Sequence, residues 1–121
     1  MELWRRYLDW RRRHVAVIVL TPDGFRLIYG AASHAARWSS IRQITAFKRD
    51  VYTHDCVCLL LAVPETVIEI REDMEGFASF REGMERHFDI APTWFLDTMG
   101  SPFDTSPRDL YRHPDFTEPS P

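Results

Sequence analysis

Five glycines in 121 residues leave little material for a phosphate-cradling loop. No Gly-rich nucleotide fingerprint and no G-x-S-x-G nucleophile elbow occurs. Two cysteines are too few for a disulfide framework. Cys56 and Cys58 are one residue apart, so an extended strand points both to the same face, and a bridge between them would distort it. They read as two free, buried thiols, which fits a reducing compartment. No apolar run reaches the length of a membrane span, and the charged start MELWRRYLDWRRRH lacks the pattern of a secretory leader. A cytoplasmic location is therefore expected. The net charge is −3 and nearly all the basic character is arginine. That balance does not suit a general nucleic-acid binder.

What is present describes a folded globule. Hydrophobic residues make up 45% of the chain and aromatics 13%, enough for a core without metal or disulfides. The length predicts one domain, residues 1–113, followed by a flexible C-terminal tail, residues 114–121. Residues 2–13 read as a short helix, with Glu2 at its start and Arg11, Arg12 and Arg13 at its end. Val15 to Leu20 is a β-branched run. The Thr21-Pro22-Asp23-Gly24 turn, with a positive torsion expected at Gly24, returns the chain into a strand at Phe25 to Tyr29. Gly30 to Ala36 is small and featureless and reads as loop. Trp38, Ile41 and Ile44 repeat every three residues into a strand ending near Lys48. His54 to Val63 and Thr66 to Arg71 follow as strands around a Pro64-Glu65 turn. Asp73 is placed to cap a helix over 74–88, with Phe77, Phe80, Met84 and Phe88 on one face. A second short helical piece begins at Pro92-Thr93 and stops at Gly100. The expected fold is α+β: a curved antiparallel sheet of about five strands, a short N-terminal helix and a closing C-terminal amphipathic helix.

This order, with Trp38-x-x-Ile41-x-x-Ile44 before a strand and a closing helix that opens on Gly76-Phe77, resembles a pleckstrin-homology-like domain of the kind seen in small bacterial proteins. The positions Ala46, Lys48, Asp50, Thr53, Asp55, Glu72, Asp73, Trp94, Pro102, Phe103, Leu110, Tyr111 and Arg112 extend the likeness to an uncharacterised bacterial protein family over roughly residues 15–112. That resemblance implies a fold and no activity.

Several constellations could carry chemistry. His54, Cys56 and Cys58 share a strand face, but no second ligand pair completes a zinc set, so no metal or other cofactor is expected. Asp55 and Glu69 resemble the strand carboxylates of divalent-metal nucleases, with Arg71 where a lysine would stand. Cross-strand pairs, Asp55 with Arg71 or Glu69 with Lys48, account for the same residues. Arg5, Arg6, Arg11, Arg12 and Arg13, interleaved with Trp4, Tyr7 and Trp10, would suit an anionic lipid or RNA, or simply a solvated helix face. Glu65, Glu69, Glu72, Asp73 and Glu75 form an acidic set that a basic partner could meet.

The leading expectation is a non-catalytic protein-interaction domain. Its candidate contact residues are Trp4, Tyr7, Trp10, Arg11, Arg12, Glu69, Glu72 and Asp73, and a homodimer through the aromatic N-terminal helix is one form of it. A toxin-neutralising immunity protein is a specific version. The competing expectations are a metal-dependent hydrolase or nuclease built on Asp55 and Glu69, and an anionic lipid or nucleic-acid binder built on the N-terminal arginines.

Overall fold

The computed structural model describes residues 2–6, 16–51, 54–100 and 107–115, with backbone alone at 50, 51, 54 and 55. Residues 2–6 are helical; the remainder of the helix expected over 2–13 lies outside the described residues. Strands β1 (Val17–Thr21), β2 (Gly24–Tyr29) and β3 (Ala32–Arg37) lead through a 3-10 turn at Trp38–Ser40 into β4 (Gln43–Val51), β5 (His54–Val63) and β6 (Thr66–Arg71). Helices α1 (Phe77–Phe88) and α2 (Trp94–Met99) follow, then β7 (Arg108–Arg112). The strands form two antiparallel sheets, ordered β1-β2-β3 and β6-β5-β4-β7. The fold is α+β, and among the described residues the sheets do not close into a barrel.

Among the described residues seven strands replace the expected five or so, and the two extra ones lacked a side-chain propensity signal. The stretch read as loop contains β3. Its residues are poor strand formers, but Gly30, with φ 58°, is the first of two turn residues and folds the chain back onto β2. Pairing then runs from Tyr29↔Ala32 to Gly24↔Arg37. Strand β7 arises in the proline-rich tail because Leu110 and Tyr111 pack against the core while the backbone adds to β4. Gly24 is needed for a different reason than expected. It has no positive φ; instead, a Cβ there would stand 2.0 Å from the Ala36 carbonyl oxygen.

Helix α1 begins three residues later than the sequence implies. Asp73 is not its cap; it accepts a 2.7 Å hydrogen bond from Arg71. The N-cap is Gly76, at φ 91°. A Cβ on Gly76 would stand 2.0 Å from the Ile18 carbonyl oxygen, and the Ile18 amide donates to the Glu75 carbonyl at 2.8 Å. The turn before the helix is thus stitched to β1, which a helix starting at residue 74 would prevent. At the other end Asp89, in the left-handed conformation, caps a last turn carrying Arg86 and His87, the charge order the helix dipole favours.

The core lies between the sheets. The first contributes Ile18, Phe25 and Leu27; the second contributes Ile44, Ala46, Val57, Leu59, Leu61, Ile68 and Ile70. Phe77, Phe80 and Met84 of α1 and Trp94 of α2 complete it. Trp38 joins the layers: its ring lies 5.5 Å from both Phe25 and Phe80 and 6.0 Å from Phe88. Along α1, Gly83 sits against Leu20 of β1 and Trp38, and Phe88 lies 4.5 Å from Tyr111 of β7. The helix therefore fills the gap between the sheets on the β1–β7 side.

Trp38→Ala removes the ring on which these contacts converge. It is expected to lower stability by about 3–5 kcal/mol, read by chemical denaturation. A loss below about 1 kcal/mol would place Trp38 outside the core.

Candidate interaction site at an open seam

Alternation along the second sheet divides its residues between two faces. Ile44, Ala46 and Lys48 of β4 face the core with Val57, Leu59 and Leu61 of β5, whereas Thr45, Phe47 and Arg49 share the outer face with Cys56, Cys58 and Leu60. Glu69 and Arg71 of β6 lie on that outer face too. Arg49 Nη2 stands 2.9 Å from Glu69 Oε1, so the pair spans β5 above the cysteines. Lys48 belongs to the opposite, buried face, so Arg49 and not Lys48 is the partner of Glu69. Arg71 pairs with Asp73 at 2.7 Å. Burial opposes the Arg71 charge, but Asp73 and Cys56 beside it outweigh that and raise its pKa. Glu72 caps the ladder end: its side chain accepts the Val57 amide at 2.8 Å, and its own amide donates to the Val57 carbonyl at 3.0 Å. The three acidic residues expected to greet a partner thus hold this sheet's own edge. A half-exposed pair such as Arg49–Glu69 adds at most about 1 kcal/mol of stability.

Both cysteines are buried free thiols. Burial, reinforced by Cys56 and Glu69, pushes the Cys58 thiol up to about 12, with Arg49 acting weakly the other way. Such a thiol is a poor nucleophile and a poor metal ligand at neutral pH. Among the described residues no group of three or more His, Cys, Asp or Glu side chains is placed to hold a metal ion.

The carboxylates of the hydrolase reading are separated by the strand register. Glu69 pairs with Leu60, five residues along β5 from Asp55. At about 3.3 Å per residue along β5 and about 4.8 Å between strands, their backbones are about 17 Å apart. Two ligands of one ion need far closer approach. The side chain of Asp55 lies outside the described residues, as do Tyr7, Trp10, Arg11 and Arg12. Trp4 is described and is largely solvent-exposed. No helix among the described residues is long and apolar enough to cross a membrane.

The feature that no side-chain pattern announced is the gap between β3 and β6, opposite the one that α1 fills. Both strands are the last in their sheets. A two-residue turn makes Tyr29↔Ala32 a hydrogen-bonded pair, and the Trp38 amide donates to the Asp23 carbonyl at 3.0 Å at the other end. Antiparallel pairs alternate, so Ala32, His34 and Ala36 bond inward to β2, whereas the amides and carbonyls of Ser33, Ala35 and Arg37 point out from the sheet. The same logic applies to β6. Val63↔Thr66 flanks a two-residue turn and Glu72 bonds Val57, so the backbone groups of Val67, Glu69 and Arg71 point outward. Among the described residues neither edge has a further strand against it.

Two adjoining hollows lie in this gap. One, of about 340 Å³, is lined by Leu27, Tyr29, His34, residues 66–69, Arg71 and Met74. The other, of about 370 Å³, is lined by His34, Ala35, Ala36, Arg37, Ser40 and residues 63–66. They exist because the inward residues of β3 are Ala32, His34 and Ala36, where the neighbouring strands place Phe25, Leu27, Ile68 and Ile70. The one available sequence signal was Gly30-Ala31 directly after a strand, a two-residue hairpin turn. The small, uncharged residues that followed concealed it.

Comparison of this chain with protein-family models, curated proteins and solved structures finds no match.

Because the Cys58 thiol has a raised pKa in the folded protein, the unfolded chain loses that proton first. Stability is therefore expected to be unaffected by this thiol below about pH 9 and to fall as pH climbs from 9 toward 12. Cys58→Ala should flatten the decline in urea midpoints across that window. An unchanged slope would show that the thiol ionises alike in both states.

Proposed function

We propose that this protein is a non-catalytic interaction module that captures an extended segment of another polypeptide along the open β3 edge. The carrying observation is the pair of backbone edges, without a further strand among the described residues, that face one another across two hollows. Exposed edges normally carry charge, proline or a covering element, because an open ladder recruits strands. Strand β3 carries no charge or proline over Ala32–Ala36, and among the described residues no further strand covers it. An added strand would satisfy the outward amides and carbonyls of Ser33, Ala35 and Arg37, and its alternate side chains would fill the volume that β3 leaves vacant. No small molecule or lipid chain offers both a ladder and side chains at strand spacing. The pleckstrin-homology-like resemblance is compatible with this use: two antiparallel sheets and a helix that seals one seam leave the other for a ligand. The toxin-neutralising version has only size and charge in its favour.

Ala35→Pro tests the reading. The Ala35 amide points away from β2, so proline there deletes an edge donor without breaking an internal bond. Peptides selected from a displayed random library on the wild-type protein should lose at least about tenfold in affinity on the Ala35→Pro variant. The thermal midpoint should stay within a few degrees. Selected peptides that bind the variant equally well would end the proposal. So would a concentration-dependent dimer abolished by Ala35→Pro, which would mean that β3 pairs with a second copy of itself.

A further inference from the structure

The two rims of the seam run in opposite directions, and this limits how a strand can enter. The hollow that meets Leu27, Tyr29 and His34 near the start of β3 runs along β6 from Thr66 to Arg71 and reaches Met74 beyond its end. The hollow that meets Ala36, Arg37 and Ser40 at the end of β3 touches Val63 to Thr66, where β6 begins. Strands β3 and β6 are therefore antiparallel across the gap. A single strand between them cannot be antiparallel to both.

Resting on the strand-capture reading, we infer that the bound segment runs antiparallel to β3, parallel to β6, and presents the pattern polar–x–aliphatic from its N- to its C-terminus. Antiparallel pairing is the more stable per residue. Strand β3 also offers it the less obstructed edge: Ser33 and Ala35 are small, whereas on β6 the neighbouring side chains of Glu69 and Arg71 are held in ion pairs.

The side-chain pattern follows from register. Ligand residues opposite Ser33, Ala35 and Arg37 exchange hydrogen bonds with them, and their side chains share those residues' outer face. Ligand residues opposite His34 and Ala36 turn inward, one to each hollow. A segment running against β3 reaches Ala36 first. That position opens on the hollow whose lining includes the polar residues Ser40, Glu65 and Thr66, and it takes a hydrogen-bonding side chain. Two residues later the ligand reaches His34 and the hollow floored by Leu27, Ile68 and Met74, which takes an aliphatic side chain. A volume of about 340 Å³ accommodates a leucine or isoleucine with room for its backbone. The opposite chain direction would read aliphatic–x–polar, so direction and motif are one claim.

Two heptapeptides of threonine separate the alternatives. One carries Gln at its third position and Leu at its fifth; the other carries Leu at its third and Gln at its fifth. Each is titrated into ¹⁵N-labelled protein, then repeated with a nitroxide on the peptide N-terminus. The Gln-then-Leu peptide is expected to bind at least about tenfold tighter, with the nitroxide broadening the amides near Arg37 and Ser40. Tighter binding of the Leu-then-Gln peptide, with broadening near Ala32, would overturn the inferred direction while leaving strand capture intact. Equal binding of the two, still lost in Ala35→Pro, would overturn the motif alone. Binding of either that is insensitive to Ala35→Pro would overturn both the motif and the capture reading beneath it.

Discussion

The contact of Trp38 with Phe25 and Phe80 decides how the two sheets sit. Trp38 follows β3 directly and precedes β4, so its ring stands where the chain passes from one sheet to the other. By packing on Phe80 it commits α1 to the β1–β7 side, where the Gly76 turn bonds β1 and Phe88 reaches Tyr111. One helix cannot seal both gaps. With α1 committed, the β3–β6 gap has no element of the described chain to cover it.

An asymmetry in side-chain size reinforces this. The core draws large apolar residues from β1, β2, β4, β5, β6 and both helices, but from β3 only Ala36, and that only in part. Close packing is the norm in protein interiors, so hollows of several hundred cubic ångströms beside an unpaired edge need an explanation. The described charges on the outer face of the second sheet have partners within the fold. They are spent on one another and on capping the ladder, through Arg49–Glu69, Arg71–Asp73 and Glu72 with the Val57 amide. The raised Cys58 thiol beneath them is chemically quiet.

Legibility from sequence followed side-chain size. β-branched and aromatic runs announced β1, β2, β5 and β6, and the Phe77–Phe80–Met84–Phe88 stripe announced α1. The three-residue spacing of Trp38, Ile41 and Ile44 matched a 3-10 turn entering β4, with all three buried. What failed was structure made by backbone. Strand β3 carries no propensity signal, since pairing to β2 alone makes it a strand. Strand β7 hid among prolines. The start of α1 was misplaced because Asp73 looks like a cap, whereas a close approach that only Gly76 permits holds the turn. For the same reason the open seam was not read from the sequence: charged and aromatic residues attract functional readings, whereas an edge of small residues offers amides and carbonyls, which every residue has.

Residue-resolved amide hydrogen exchange on the free protein tests the open edge most directly. The Ser33, Ala35 and Arg37 amides should exchange quickly, while those of His34 and Ala36, bonded to β2, are protected well beyond them, giving an alternating profile along one strand. Uniform strong protection from Ser33 to Arg37 would mean that the β3 edge is already covered, and would contradict the account.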